Sequence, residues 1–189
     1  MSSKSLFAAY SEGVHRSMAG SHEAAIQAFD KVLAEDPSHF PALTAKASSL
    51  KQLGRTPEAL RCFQRAIELE PTLADPHRDA ALCQLELGEP EAGAALMERA
   101  VQLNSAPGYR EAAAVEVYTV GNALLTQGPR RPDKARYRLA RQVFELALEL
   151  SPAYVEAAKA LSDVWAHLGD TAQRDHYAQL ASRLRPAGA

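Results

Sequence analysis

Between residues 40 and 73 apolar side chains return at steps of three and four. Leu43, Ala47 and Leu50 fall on one face of a helix, because 3.6 residues make a turn. Gly54 follows, a residue that takes the left-handed conformation at a helix C-terminus cheaply. Thr56-Pro57-Glu58 restarts a helix, with Thr56 expected as N-cap and Pro57 at the first helical position. Leu60, Phe63, Ala66 and Ile67 then face inward. Pro71 ends the second helix, since proline has no N–H for the hydrogen-bond ladder. The segment is predicted to be two antiparallel helices joined by a tight turn.

The pattern recurs at a fixed interval. Gly20, Gly54 and Gly88 are 34 residues apart, as are Phe29, Phe63 and Met97, Ala25 and Ala59, Ala66 and Ala100, and Pro37 and Pro71. Near the C-terminus Phe144 and Ala178, Leu150 and Leu184, and Pro152 and Pro186 keep the same step of 34. Val120 and Leu161, Leu124 and Trp165, and Gly128 and Gly169 are 41 apart, which is 34 plus a 7-residue insertion. A hairpin of this size cannot bury its apolar face alone, so the units must stack. Five are expected, at about 6–39, 40–73, 74–107, 108–154 and 155–187.

The fragments Ala25-x3-Phe29…Pro37, Gly54…Ala59-x3-Phe63-x2-Ala66…Pro71, Gly88…Met97-x2-Ala100, Ala140-x3-Phe144-x2-Ala147…Pro152 and Trp165…Gly169…Pro186 resemble the tetratricopeptide repeat family. Some positions depart from it: Glu12 and Arg16 stand where large apolar residues are usual, Gly93 and Arg174 at a usual alanine, and Ser105 at a usual proline. The resemblance implies an all-α fold, ten helices in a right-handed α-solenoid. It further implies a concave groove, lined by the first helix of each pair, that binds a partner's peptide or amphipathic helix. Carried over residue by residue, the groove positions are Phe7, Tyr10, Val14 and Met18 in unit 1, and Thr44, Ser48 and Lys51 in unit 2. Unit 3 gives Asp75, Arg78, Leu82 and Leu85, unit 4 Val115, Tyr118, Asn122 and Leu125, and unit 5 Glu156, Lys159, Asp163 and His167. A subfamily that clamps chaperone C-terminal carboxylates needs a convergent Lys-Asn-Asn-Lys-Arg set. The matching positions here are Tyr10, Val14, Ser48, Arg78 and Leu82, and a single cation does not make that clamp. The strip Phe7, Tyr10, Val14 and Met18 has two readings: a docking surface, or a face packed on the core.

Composition narrows the function. The 189 residues include 37 alanines and one tryptophan, and 21 Lys+Arg against 23 Asp+Glu leave a net charge of −2. Alanine favours helix and close helix packing. The balance argues against a globally basic nucleic-acid binder. No apolar run is long enough to span a membrane and no secretory leader is apparent, so a cytoplasmic protein is expected. Cys62 and Cys83 form no CxxC pair. Nucleophile elbows, P-loops, HExxH and dinucleotide fingerprints are lacking, and no two of the six histidines are spaced four apart. The chain is therefore read as non-catalytic, with no cofactor and no metal. Its alanine- and arginine-rich usage suggests a bacterial source.

Unit 4 carries two insertions. Six extra residues precede its first helix, which is expected over about Tyr109–Gln127, near 28 Å in length. The seven others lead to a second helix starting near Asp133. Around them sit Arg130, Arg131, Lys134, Arg136, Arg138 and Arg141, opposed by Asp133 alone. Residues 1–105 carry 10 basic and 14 acidic side chains, and 106–189 carry 11 and 9, so the basic excess is local. Such a patch fits an acidic protein, an anionic surface or nucleic acid. With only Tyr137 interleaved, it is not a base-stacking platform. The reading that follows is an adapter binding a protein partner, acidic if the patch takes part. The alternatives are a scaffold that self-assembles into a homo-oligomer through its ends, a dedicated chaperone, and an anionic-surface or nucleic-acid binder acting through the basic insertion of unit 4.

Overall fold

A computed structural model describes residues 3–127 and 132–184. Among them are ten helices and no strand: α1 Ser3–Met18, α2 His22–Glu35, α3 Phe40–Gln52, α4 Thr56–Leu69, α5 Ala74–Glu86, α6 Pro90–Leu103, α7 Tyr109–Thr126, α8 Lys134–Leu150, α9 Val155–Leu168 and α10 Thr171–Leu184. They pair as five hairpins, each packed on the next, and the fold is an all-α solenoid.

The turns follow from the sequence. At Gly54 φ is +70°, its amide bonds the Lys51 carbonyl at 2.9 Å, and the Arg55 amide reaches back to Leu50 at 2.9 Å. Those bonds satisfy carbonyls that a helix end leaves open, and a Cβ would strain the left-handed residue. Gly20 and Gly88 repeat the conformation 34 residues away on either side. The turn expected at Gly128 lies outside the described residues. One capping detail is corrected. Thr56 is the first helical residue rather than the N-cap, and its hydroxyl donates to Glu86 Oε2 of α5 at 3.0 Å.

In units 1 to 4 the second helix places a large side chain at the same station of the hairpin interior. Phe29, Phe63, Met97 and Phe144 are buried completely or nearly so, beside small partners. In units 1 and 4 the small partner is a glycine because the ring occupies the space of a Cβ. A Cβ on Gly13 would lie 2.5 Å from Phe29 Cε1, and one on Gly121 would lie 2.4 Å from Phe144 Cε1. The same reasoning explains Gly93 at a station that holds alanine elsewhere: its Cβ would meet Leu85 Cδ2 at 2.6 Å.

Glu12 and Arg16 bond each other at 2.6 Å. Lys46, one period after Glu12, reaches back from α3 to Asp30 of α2 at 2.5 Å. Glu12 thus occupies the side of α1 that corresponds to the side of α3 facing its predecessor, and the polar pair does not disturb the core.

The junction between units 3 and 4 differs from the others. α2 packs directly on α3, α4 on α5 and α8 on α9, whereas α6 and α7 barely touch. Instead α7 lies along α5 and α8 touches α6. The largest core cluster runs through this joint, from Ala81 and Leu85 through Met97, Val117 and Val143 to Ala157. At 18 and 17 residues, α7 and α8 are longer than the 13 or 14 residues of α2–α6. Asp133 caps α8, accepting from the Arg136 amide at 2.9 Å. No helix among the described residues is long and apolar enough to cross a membrane.

Candidate partner-binding site

Two clefts run along the first helices of units 2 to 4. One, of about 510 Å³, is lined by Phe40 and Thr44 of α3, Asp75, Arg78 and Asp79 of α5, and Leu103 at the end of α6. The other, of about 530 Å³, is lined by Lys51 of α3, Glu86 of α5, Thr119, Ala123 and Leu124 of α7, and Arg136 of α8. Both draw side chains from several hairpins, so either cleft exists only in the stacked solenoid.

Unit 1 divides its strip between core and surface. Phe7 and Met18 are 71% and 85% exposed. Tyr10 is half-buried, its ring 6.0 Å from Phe29 and 5.2 Å from His39, and Val14 packs on the same cluster as Phe29 and Val32. Tyr10 and Val14 therefore pack on the core, while Phe7 and Met18 stay exposed. Thr44 and Ser48 spend their hydroxyls on their own helix: Thr44 donates to the Phe40 carbonyl at 3.3 Å and Ser48 to the Thr44 carbonyl at 3.1 Å. They offer a partner a neutral surface with little unsatisfied hydrogen-bonding capacity.

Arg78 is not free to receive an incoming carboxylate. It pairs with Asp75, Asp79 and Glu116, each at 3.2 Å, and lies 5.9 Å from the centroid of the Tyr109 ring. Its Nε faces Glu116 Oε2 as an ion pair without hydrogen-bond alignment, which leaves both atoms, like the Tyr109 hydroxyl, buried without a hydrogen bond. Burial opposes the guanidinium charge, but Asp79, Glu116 and Asp75 outweigh it and hold Arg78 above the ordinary arginine range. Asp79, Glu116 and Tyr109 were not among the expected groove residues. Asp79 directly follows Arg78 and was within reach of the sequence. Glu116 and Tyr109 arrive through the displaced docking of α7, which no spacing announces.

Leu82 and Leu85 are buried in the core cluster and form the floor rather than a contact surface, because α7 covers α5. Val115 is exposed, while Tyr118 is half-buried against Phe144 at 5.5 Å and Tyr154 at 5.1 Å. Asn122 and Leu125 are half-buried on α7. Lys159 and Asp163 line a smaller cleft with Ala178 and Ser182 of α10, which shares no residue with the two clefts above. His167 stacks on Tyr137 at 4.5 Å.

The described cations at the start of α8 divide between two clefts. Arg136 donates to the Gln127 carbonyl and faces the cleft along α3, α5 and α7. Lys134, Arg138 and Arg141 face another cleft, of about 550 Å³, with Trp165 and Leu168 of α9 and Thr171 of α10. Arg141 bonds Glu145 at 3.1 Å and its guanidinium lies 5.3 Å from the Trp165 ring centroid. Burial pushes the Glu145 carboxyl up, against the pull of Arg141. Arg130 and Arg131 lie outside the described residues.

Residues 18–72 match the profile described as tetratricopeptide repeat. That span, which takes in α2, α3 and α4, is recognised as tetratricopeptide repeat sequence. Among solved structures, one titled as the crystal structure of MamA protein is 19% identical, covering 95% of this chain and 91% of its own, with a TM-score of 0.66. A second MamA structure is 20% identical over 91% and 93%, with a TM-score of 0.61. YrrB, titled a TPR protein with an unusual peptide-binding site, is 18% identical over 95% and 86%, also at 0.61. At these identities the likeness is one of fold. No curated protein sequence matches the chain.

Proposed function

We propose that this tetratricopeptide repeat chain is a non-catalytic adapter that holds a segment of a partner protein along the face of its first helices. The observation that carries the reading is the pair of clefts spanning α3, α5 and α7, each lined by residues of more than one hairpin. A stacked array offers an extended ligand contacts at regular intervals, which a single hairpin cannot. Phe7 and Met18 supply an apolar mouth, where burying a large side chain of the partner contributes roughly 1.5–3 kcal/mol. Further along, Thr44 and Ser48 offer a neutral strip, followed by the Asp75–Arg78–Asp79 knot. The peptide-binding site named for YrrB supports this use of the fold. The free Cys62 and Cys83 are compatible with the reducing cytoplasm as the place of action.

The test is a selection from displayed random peptides. Wild type should retain a set of sequences that Phe7→Glu/Met18→Glu does not hold, with circular dichroism unchanged between the two. A selection that yields nothing for wild type, or peptides that bind the double variant equally well, would overturn the reading.

A further inference from the structure

The cleft between the start of α8 and the α9–α10 turn shares no lining residue with the two clefts along α3, α5 and α7. Lys134, Arg138 and Arg141 recur at steps of four and three, so they share one helix face, and all three line this cleft, as does Asp170, whose carboxylate is engaged by the Gln173 amide at 3.0 Å. Only Arg141 has an acidic partner, Glu145; among the described residues Lys134 and Arg138 have none, and both are exposed. Trp165 closes one side under the Arg141 guanidinium, and its indole N–H is buried without a hydrogen-bond partner.

We propose that this cleft is a second binding site, taking an extended acidic peptide segment with carboxylates two residues apart. The rise between Lys134 and Arg138 along α8 is about 6 Å. Alternate side chains of an extended strand lie about 6.6 Å apart on the same side. One carboxylate therefore meets Lys134 and the next but one meets Arg138. A third carboxylate further along the peptide competes with Glu145 for Arg141 and changes what lies over the indole. The open shape of the cleft, about 550 Å³ with solvent-facing cations, suits a strand lying across it. This site does not rest on the reading of the first-helix face.

Trp165 is the chain's sole tryptophan, so its fluorescence reports this cleft alone. The peptide acetyl-Glu-Ser-Glu-Ser-Glu-amide should change Trp165 emission saturably, with heat released or absorbed at the same midpoint in titration calorimetry. Added sodium chloride should weaken the binding, because exposed charges are screened. Lys134→Glu/Arg138→Glu should weaken it by about tenfold or more, and Lys134→Gln/Arg138→Gln by less. Phe7→Glu/Met18→Glu should leave it unchanged. The proposal is overturned if neither method registers binding, if the glutamine counterpart of the peptide binds equally, or if the α8 variants bind as wild type. It is equally overturned if inorganic phosphate at the same concentration reproduces the response, which would mark an unspecific anion site.

Discussion

Adding one methyl group at Gly121 should destabilise the protein, although the same change is usually favourable in a helix. Gly121 lies inside α7, and replacing a mid-helix glycine by alanine gains about 1 kcal/mol of helix propensity. Against this, the new Cβ would stand 2.4 Å from Phe144 Cε1, 2.8 Å from Cδ1 and 2.9 Å from Cζ. Phe144 is fully buried, with Tyr118 5.5 Å away centre to centre, so the ring has little room to withdraw. Overpacking of this kind costs about 1–3 kcal/mol, and three ring atoms in conflict place it in the upper part of that range. The net expectation for Gly121→Ala is a loss of about 1–2 kcal/mol, or a fall in Tm of roughly 2–8 °C for a chain of this size. Thermal and urea melts followed by circular dichroism measure it. Phe144→Leu removes the ring edge, so in that background the alanine should cost little or become favourable, a coupling that a double-mutant cycle reads directly. An unchanged or raised Tm for Gly121→Ala alone would refute the argument from close approach.

Phe63→Ala empties a site that is almost wholly buried and should cost about 3–5 kcal/mol in a urea melt. Asp133→Ala removes the only described side-chain cap of α8 and should cost about 1 kcal/mol; Asp133→Ser should recover most of it. Cys83 is fully buried and burial pushes its thiol up to about 12, whereas Cys62 is half-buried. A thiol-reactive dye at mildly alkaline pH should label Cys62 slowly in the native protein and Cys83 only after unfolding, as counted by mass spectrometry.

The period, the hairpins and the turn glycines were legible because each is set by chemistry within one unit: Gly54 ends one helix, Pro57 helps to start the next, and Phe63 needs Ala59 and Ala47 beside it. What lay beyond reach depends on how one unit rotates against the next. Leu82 and Lys159 occupy first-helix positions in the repeat pattern, yet the docking of α7 on α5 covers Leu82, and Lys159 turns toward α10. The six inserted residues before α7 change that docking, and a repeat alignment carries positions across an insertion as though nothing had rotated. Charge was similarly ambiguous. The run of cations from Lys134 to Arg141 reads as one patch, but a helix sends Arg136 to one cleft and Lys134 and Arg138 to another.

The two insertions of unit 4 lengthen their helices at the free N-terminal ends, and neither breaks the stack. An added turn at the start of α7 sets Tyr109 against Arg78, and an added turn at the start of α8 sets Lys134 above Trp165. Within its own hairpin a helix grown outward from its packed segment keeps its buried partner, as Gly121 of α7 keeps Phe144 of α8, so the first steps of such a change are nearly neutral for the hairpin even where the docking on the next unit shifts. The rims of the array are thus where new chemistry can be acquired in small increments or grafted by design, while the buried stations at Phe29, Phe63, Met97 and Phe144 stay fixed.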